Sequence, residues 1–503
     1  MEVESVRDGN VHSGVCDADH GAVMPVATDY APLLEKCLLL DASEDSCQLS
    51  VTGTIPSWLR GTYYVNGPSL FQRGGRKYHH WLDGDGMVHS LDFSDVGIRY
   101  TSRFVRTPKY EQEQAAGDFI YRTFGTAFAG DKLRAGVMLE SPLNVSVYPF
   151  AGKLLAFGEQ SLPFLLDPET LATVGEYDFD AALTQVTPFS AHPKREPGTG
   201  KLLNFGVSFM SAQPSLHLFE FDSAGNLLRR RRHAIPLPHA LHDFGFTRDY
   251  FVFYLSPLTM DFTRFASGGQ SVLDSLSWEP QRGARILFVP REKSGPASFT
   301  VEVPAHYCLH LIDCWQSESR IVVDVLEQER PVYMDYAPMP DLFITEPICN
   351  PVRYVIDLNE SKLLERQEMS YQCCPDFPSV DQRAVDGERN DFWMLGMSQS
   401  GRNGRKFFDH VARGSWRDGD VVDTWQAPAG EYLGGEPVCV MNPANPTDGV
   451  IVVELLRPSS DSAEFVLLDA FALNRGPVAR VHAPHLIHPG FHASFSFAGE
   501  NVA

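Results

Sequence analysis

The stretch Leu216-His217-Leu218-Phe219-Glu220-Phe221, closed two residues later by Ser223-Ala224-Gly225-Asn226, decides the fold class. A short apolar run bounded by turn residues reads as a β-strand entering a hairpin. The same pattern recurs on both sides of it. Runs rich in Val, Ile, Leu and Phe occur at Lys153–Phe157, Leu202–Phe209, Tyr250–Leu255, Arg285–Val289, Arg320–Val325, Arg353–Leu358, Gly449–Leu456 and Glu464–Ala470. Further turn signals stand at Ala151-Gly152 and Asp357-Leu358-Asn359-Glu360. Helical periodicity is rare and short, best at Tyr110–Ala116 and Gln270–Ser277. The chain is therefore expected to be all-β. So many strands overfill a sandwich, whereas a β-propeller accommodates them by radial repetition around a central channel. No clean repeat is present, so the period does not give a blade count.

Composition narrows the function. The chain has 503 residues, 43% of them hydrophobic and 21% charged, as in a globular protein with a large core. Its net charge of −22 argues against wrapping a phosphate backbone, so no nucleic-acid partner is expected. The apolar runs are far shorter than the roughly 20 residues of a membrane span. Residues 1–30 are polar and mixed and are expected to form an unordered leader without secretory character. No linker interrupts residues 31–503, which are expected to form a single catalytic domain. Nine cysteines without regular spacing suggest a reduced, cytoplasmic protein.

Phosphate-loop, dinucleotide-binding, zincin and nucleophile-elbow motifs are missing; Gly396-Met397-Ser398-Gln399-Ser400 ends in Ser where the last requires Gly. Histidine is abundant, at 17 residues. His192, His242, His310 and His492 each lie beside a strand-like run and far apart in the chain, as suits a metal site assembled from several blades. Spacing alone does not separate these four from His89, His239, His485 or His488.

A family resemblance separates them. Residues from about 55 to 500 resemble the carotenoid cleavage oxygenases, the non-haem iron family that includes apocarotenoid and lignostilbene oxygenases. The resemblance begins at Leu59-Arg60-Gly61-Thr62-Tyr63-Tyr64-Val65-Asn66-Gly67-Pro68 and continues through Tyr78-His79-His80-Trp81-Leu82-Asp83-Gly84-Asp85-Gly86-Met87. Ala191-His192-Pro193, His242-Asp243-Phe244, Leu309-His310-Leu311 and Gly490-Phe491-His492 then follow in the family's order. The resemblance implies a seven-bladed β-propeller with a loop and helical cap over one axial Fe(II), held by His192, His242, His310 and His492.

It also implies acid partners that orient the ligands: Glu159 for His242, Asp376 for His310 and Glu436 for His492. Asp376 stands where the family usually has the longer Glu. Phe377, Leu143 and Leu309 are expected to line the substrate tunnel; at the Leu143 position relatives carry a small side chain. His79, His80, His89, His485 and His488 read as structural, and Asp83–Gly86 as a tight turn rather than a calcium loop.

The implied reaction is cleavage of a conjugated C=C bond by O2 to two carbonyl products, with a carotenoid or apocarotenoid as the apolar polyene substrate and retinal among the conceivable products. Such substrates reside in membranes, so peripheral membrane contact is expected, with Tyr254–Phe262 as its candidate patch or else as a buried loop. Stilbene cleavage is the alternative. Its helpful lysine is missing from Arg134–Leu139, where Met138 stands near the expected place. A propeller that only binds partners is a third and weaker reading, since all four histidines are present.

Overall fold

The computed structural model describes residues 31–209, 213–295, 297–381, 383 and 389–499. The leader expected over residues 1–30 lies outside the described residues. The regular secondary structure is nearly all antiparallel sheet, as expected. Lys153–Phe157 and Tyr250–Leu255 are strands with those bounds, and Gly449–Leu456 lies within the strand Gly449–Arg457. The Ala151-Gly152 hairpin has both residues in the left-handed region, at φ 51° and 73°. That geometry matches the twist of the two strands it joins.

Five sheets have four strands each. They begin, in chain order, at Ser146–Phe150, Lys194–Arg195, Gly245–Phe246, Tyr307–Gln316 and Asp376–Ser379. The expectation of seven separate blades is corrected here, because the other major sheet is a single nine-stranded one. Its cause is the strand Ser46–Gly53, whose two halves serve different neighbours. Ser46–Leu49 pairs with Gly97–Phe104, and Ser50–Gly53 pairs with Pro477–His482. One strand thus links an N-terminal and a C-terminal set of strands.

The edge strands of these sheets face a common centre. Tyr307–Gln316 packs against both Gly245–Phe246 and Asp376–Ser379, Asp376–Ser379 against Tyr432–Met441, and Ala493–Phe497 against Ser146–Phe150. The arrangement is propeller-like. Between sheets the core is aromatic: Phe179 stacks on Phe221 at 4.2 Å and Phe189 meets Phe219 at 5.3 Å. Such pairs add about 0.5–1.5 kcal/mol beyond the area they bury.

Of the two expected helices, one forms. Pro108–Ala116 is capped by Thr107, which accepts from the Tyr110 N–H, and ends at Gly117 with φ 66°. Gln270–Ser277 does not become a helix. It holds one short turn at Leu273–Ser275 and the strand Leu276–Trp278, paired with Leu258–Met260. Serines explain this, since Ser271 bonds Asp274 and Ser275 bonds the Ser271 carbonyl, closing a local turn instead. A short helix forms earlier, at Phe262–Ala266, capped by Asp261. No helix among the described residues is long and apolar enough to cross a membrane.

Candidate metal centre

The four histidines converge. His192 and His242 lie in the loops just before the edge strands Lys194–Arg195 and Gly245–Phe246, His310 lies on the edge strand Tyr307–Gln316, and His492 immediately precedes Ala493–Phe497. Four of the six major sheets therefore deliver one imidazole each to the centre. Their nearest ring nitrogens all lie within 4.8 Å of one another. His192 Nε2 is 2.8 Å from His242 Nε2, which is 3.2 Å from His310 Nε2. Four nitrogen donors facing one point suit a divalent transition metal. Burial holds His192 far below the usual imidazole range, aided by the other three histidines and Lys194. Burial also lowers His492, although Glu436 opposes it. Both rings are thus neutral donors at neutral pH, the form a metal requires.

The expected acid partners stand behind the rings. His242 Nδ1 lies 2.9 Å from Glu159, His310 Nδ1 2.5 Å from Asp376, and His492 Nδ1 3.1 Å from Glu436. With Nδ1 engaged there, Nε2 is left to face the centre. His192 differs. Its Nδ1 is 3.9 Å from Asp243, outside hydrogen-bond range, and Asp243 is itself held by Lys194 at 2.7 Å and the Leu311 N–H at 3.0 Å. Sequence reasoning did not single out Asp243, although it adjoins His242.

The rings open onto a cavity of about 320 Å³. Its wall is mostly apolar and includes the expected tunnel residues Phe377 and Leu309. Leu143 is the exception. Its buried side chain packs with Tyr64, Val88 and Val105 in a separate cluster, and Val145 lines the cavity instead. Leu143 sits at φ 50°, and this left-handed kink changes the face presented by the residues that follow. The Val145 carbonyl accepts the His492 N–H at 3.1 Å, which brings Val145 against the cluster.

Of the two readings of Tyr254–Phe262, the buried loop is the one the structure shows for Tyr254–Met260. Tyr254–Met260 is buried, because Leu258–Met260 pairs with Leu276–Trp278 inside the fold, and Met260 and Phe262 line the cavity. Short helical turns at Trp81–Asp83 and Val332–Met334 contribute Trp81 and Tyr333 to the same wall. Glu140 and Tyr336 also line it and escaped the sequence reading. No motif marked them.

Of the histidines read as structural, His80, His89 and His485 have other partners, and His488 is buried edge-on against Phe71 with neither ring nitrogen hydrogen-bonded among the described residues. His80 Nδ1 accepts from the Leu82 N–H, His89 bonds the Tyr100 hydroxyl, and His485 bonds Asp45. The Asp83 carboxylate caps Gly125 and Thr126, and Asp85 pairs with Lys109.

Comparison with known proteins agrees with this geometry. A family model described as retinal pigment epithelial membrane protein matches residues 40–496. Isoeugenol monooxygenase of Pseudomonas nitroreducens is 28% identical over 462 residues, covering 89% of this chain and 94% of that protein. Apocarotenoid-15,15'-oxygenase of Synechocystis is 29% identical over 460 residues, covering 89% and 92%. Lignostilbene-alpha,beta-dioxygenase isozyme III of Sphingomonas paucimobilis is 28% identical over 478 residues, covering 91% and 95%. A solved structure of cobalt-substituted Synechocystis apocarotenoid oxygenase superposes with a TM-score of 0.84 at 27% identity, over 93% of this chain and 99% of that one.

Proposed function

The chain belongs to the retinal pigment epithelial membrane protein family, and we propose that it is a non-haem Fe(II) dioxygenase cleaving a conjugated C=C bond of a carotenoid or apocarotenoid. The observation that carries this is the convergence of His192, His242, His310 and His492 on an apolar cavity. These four side chains would hold the iron. Bound Fe(II) supplies the redox chemistry by which O2 reacts with an electron-rich alkene.

The protein's own groups do the rest. Asp376 and Glu436 hydrogen-bond the Nδ1 atoms of His310 and His492 and so fix tautomer and ring orientation, while the Glu159 carboxylate stands 2.9 Å from His242 Nδ1 as its charge partner. Phe377, Leu309 and Trp81 bind the alkene by apolar contact and exclude water. The Phe377 ring lies 5.3 Å from that of His492, so a substrate against it is held beside the cluster.

The supporting architecture is the propeller-like arrangement of sheets, read as one catalytic domain spanning residues 31–503, with the nine-stranded sheet continuous through Ser46–Gly53. An apolar substrate would enter past Val186, a cavity-wall residue that is 69% exposed, and that rim is where peripheral membrane contact would occur. Cytoplasmic residence accords with nine cysteines of no regular spacing, and the lack of a nucleic-acid partner with the net charge of −22.

A second reading, cleavage of a compact aryl alkene of the stilbene or propenylphenol type, draws support from the cavity size. About 320 Å³ lies at the lower end of the roughly 300–1,000 Å³ of small-molecule sites. The test is an anaerobic, iron-loaded preparation given O2 with an apocarotenal, β-carotene, a hydroxylated stilbene or isoeugenol. Aldehydes from a carotenoid or apocarotenal support the first reading and locate the bond. Aromatic aldehydes alone support the second. No product from any substrate, with iron bound, overturns both.

A further inference from the structure

Glu454, on the strand Gly449–Arg457, is fully buried and plays no part in the chemistry above. One carboxyl oxygen, Oε2, accepts the Gly490 N–H at 2.8 Å. Among the described residues its Oε1 has no hydrogen-bond partner. Burial pushes the carboxyl up to about 8, so it is a neutral acid at neutral pH.

The surrounding backbone is shaped to admit this group. A Cβ on Gly434 would stand 2.7 Å from Glu454 Oε2, and one on Gly490 would stand 3.0 Å from it. Gly434 is the strand partner of Glu454, and the pairing becomes irregular immediately after it, between Gly434 and Val438. That irregularity contains Glu436. Irregularities of this kind redirect side chains, here Glu436 toward His492. The ligand segment is then tied on both sides. Gly435 N–H bonds the Gly490 carbonyl at 3.0 Å, Glu436 N–H the Phe491 carbonyl at 2.7 Å, and Asn66 N–H the His492 carbonyl at 3.1 Å.

We propose that Glu454 is a positioning residue of the metal site, its carboxyl clamping the Gly490 backbone and thereby setting the two segments that bring His492 and Glu436 together. The inference rests on the reading that His492 holds metal. What Glu454 supplies is a hydrogen-bond acceptor without charge. Gln has the same shape and also offers an uncharged oxygen, whereas Leu and Met fill the space without an acceptor.

The experiment compares the full-length protein with Glu454→Gln, Glu454→Leu and Glu454→Met. Two quantities are read: Co(II) affinity, from the visible spectrum during titration, and amide hydrogen exchange at Gly490. Gln is expected to keep both near wild type. Leu and Met are expected to weaken Co(II) binding about tenfold and to speed exchange at Gly490. Two apolar variants are used so that the outcome does not hang on the packing of one. Wild-type affinity and exchange in Leu and Met overturns the clamp, as does a loss in Gln equal to theirs. A wild-type protein that binds no Co(II) sinks the metal reading instead, and the exchange contrast at Gly490 still shows whether the clamp exists.

Discussion

His310 Nδ1 and Asp376 Oδ1 lie 2.5 Å apart, both buried. An aspartate thus makes the contact that the family pattern assigns to a longer glutamate. The short strand Asp376–Ser379 packs directly against the strand bearing His310, which removes the need for the extra methylene. The contact leaves Asp376 below the usual carboxylate range: burial pushes its carboxyl up, but His310 outweighs that.

Replacing Asp376 by Asn should therefore weaken metal binding while leaving the side-chain volume unchanged. Loss of such a partner costs about 10–100-fold in metal affinity. A Co(II) titration of Asp376→Asn that matches the wild type would show the contact to be incidental.

His242→Ala and His492→Ala should each lose stoichiometric iron and alkene cleavage together. His239 serves as the control. It bonds the Ser256 carbonyl at 2.7 Å, away from the four converging histidines, so His239→Ala should retain its iron. Elemental analysis beside product chromatography checks all three variants. Activity that survives loss of His242 or His492 refutes the ligand set.

Phe377 is both cavity wall and core. Its ring lies 5.7 Å from His310, 5.7 Å from Phe408 and 6.1 Å from Phe491. Phe377→Ala should cost about 3–5 kcal/mol of stability, the range for truncating a buried Phe. The enlarged cavity should also favour bulkier alkenes. Denaturant unfolding and a substrate panel read the two effects. An unchanged unfolding midpoint would place the ring outside the core.

Acid should destabilise the fold before carboxylates protonate. Burial holds His80, His89 and His488 down to about 3, with His485 also lowering His89 and His89 also lowering His488. These rings are neutral when folded but accept a proton near pH 6.5 when unfolded. Their stabilising contribution is complete above that value and is lost as pH falls from about 6.5 toward 3. Each can cost up to about 1.4 kcal/mol per pH unit in that window. His306, bonded to Glu327 and shifted up, and Glu454, pushed up to about 8 by burial, oppose the trend, but the three buried rings outnumber them below pH 6.5. Urea midpoints at pH 7.5, 6 and 5 should fall in that order. A flat series would mean that the buried rings are reached by water.

Strands such as Lys153–Phe157 and Tyr250–Leu255 were legible because an apolar run of strand length with turn residues at its ends is a local signal. The helix expected at Gln270–Ser277 failed because serine side chains compete for the backbone, an effect that apolar periodicity does not register. Leu143 was misplaced for a similar reason. Leu143 adopts a left-handed backbone at φ 50° and packs in a separate buried cluster, and Val145 lines the cavity instead.

By itself, the sequence determined the all-β class and pointed to four histidines that the fold brings together, because turn chemistry and motif identity reside in neighbouring residues. Tertiary structure decided what depends on distant segments meeting. It set the pairing of Ser46–Gly53 with strands from both ends of the chain, the cavity wall that includes Glu140 and Tyr336, and the burial of Tyr254–Met260. It also placed the Glu454 carboxyl under Gly490. The physical reason is that burial, pairing and hydrogen-bond partnership are properties of two surfaces, and only the folded chain specifies the second one.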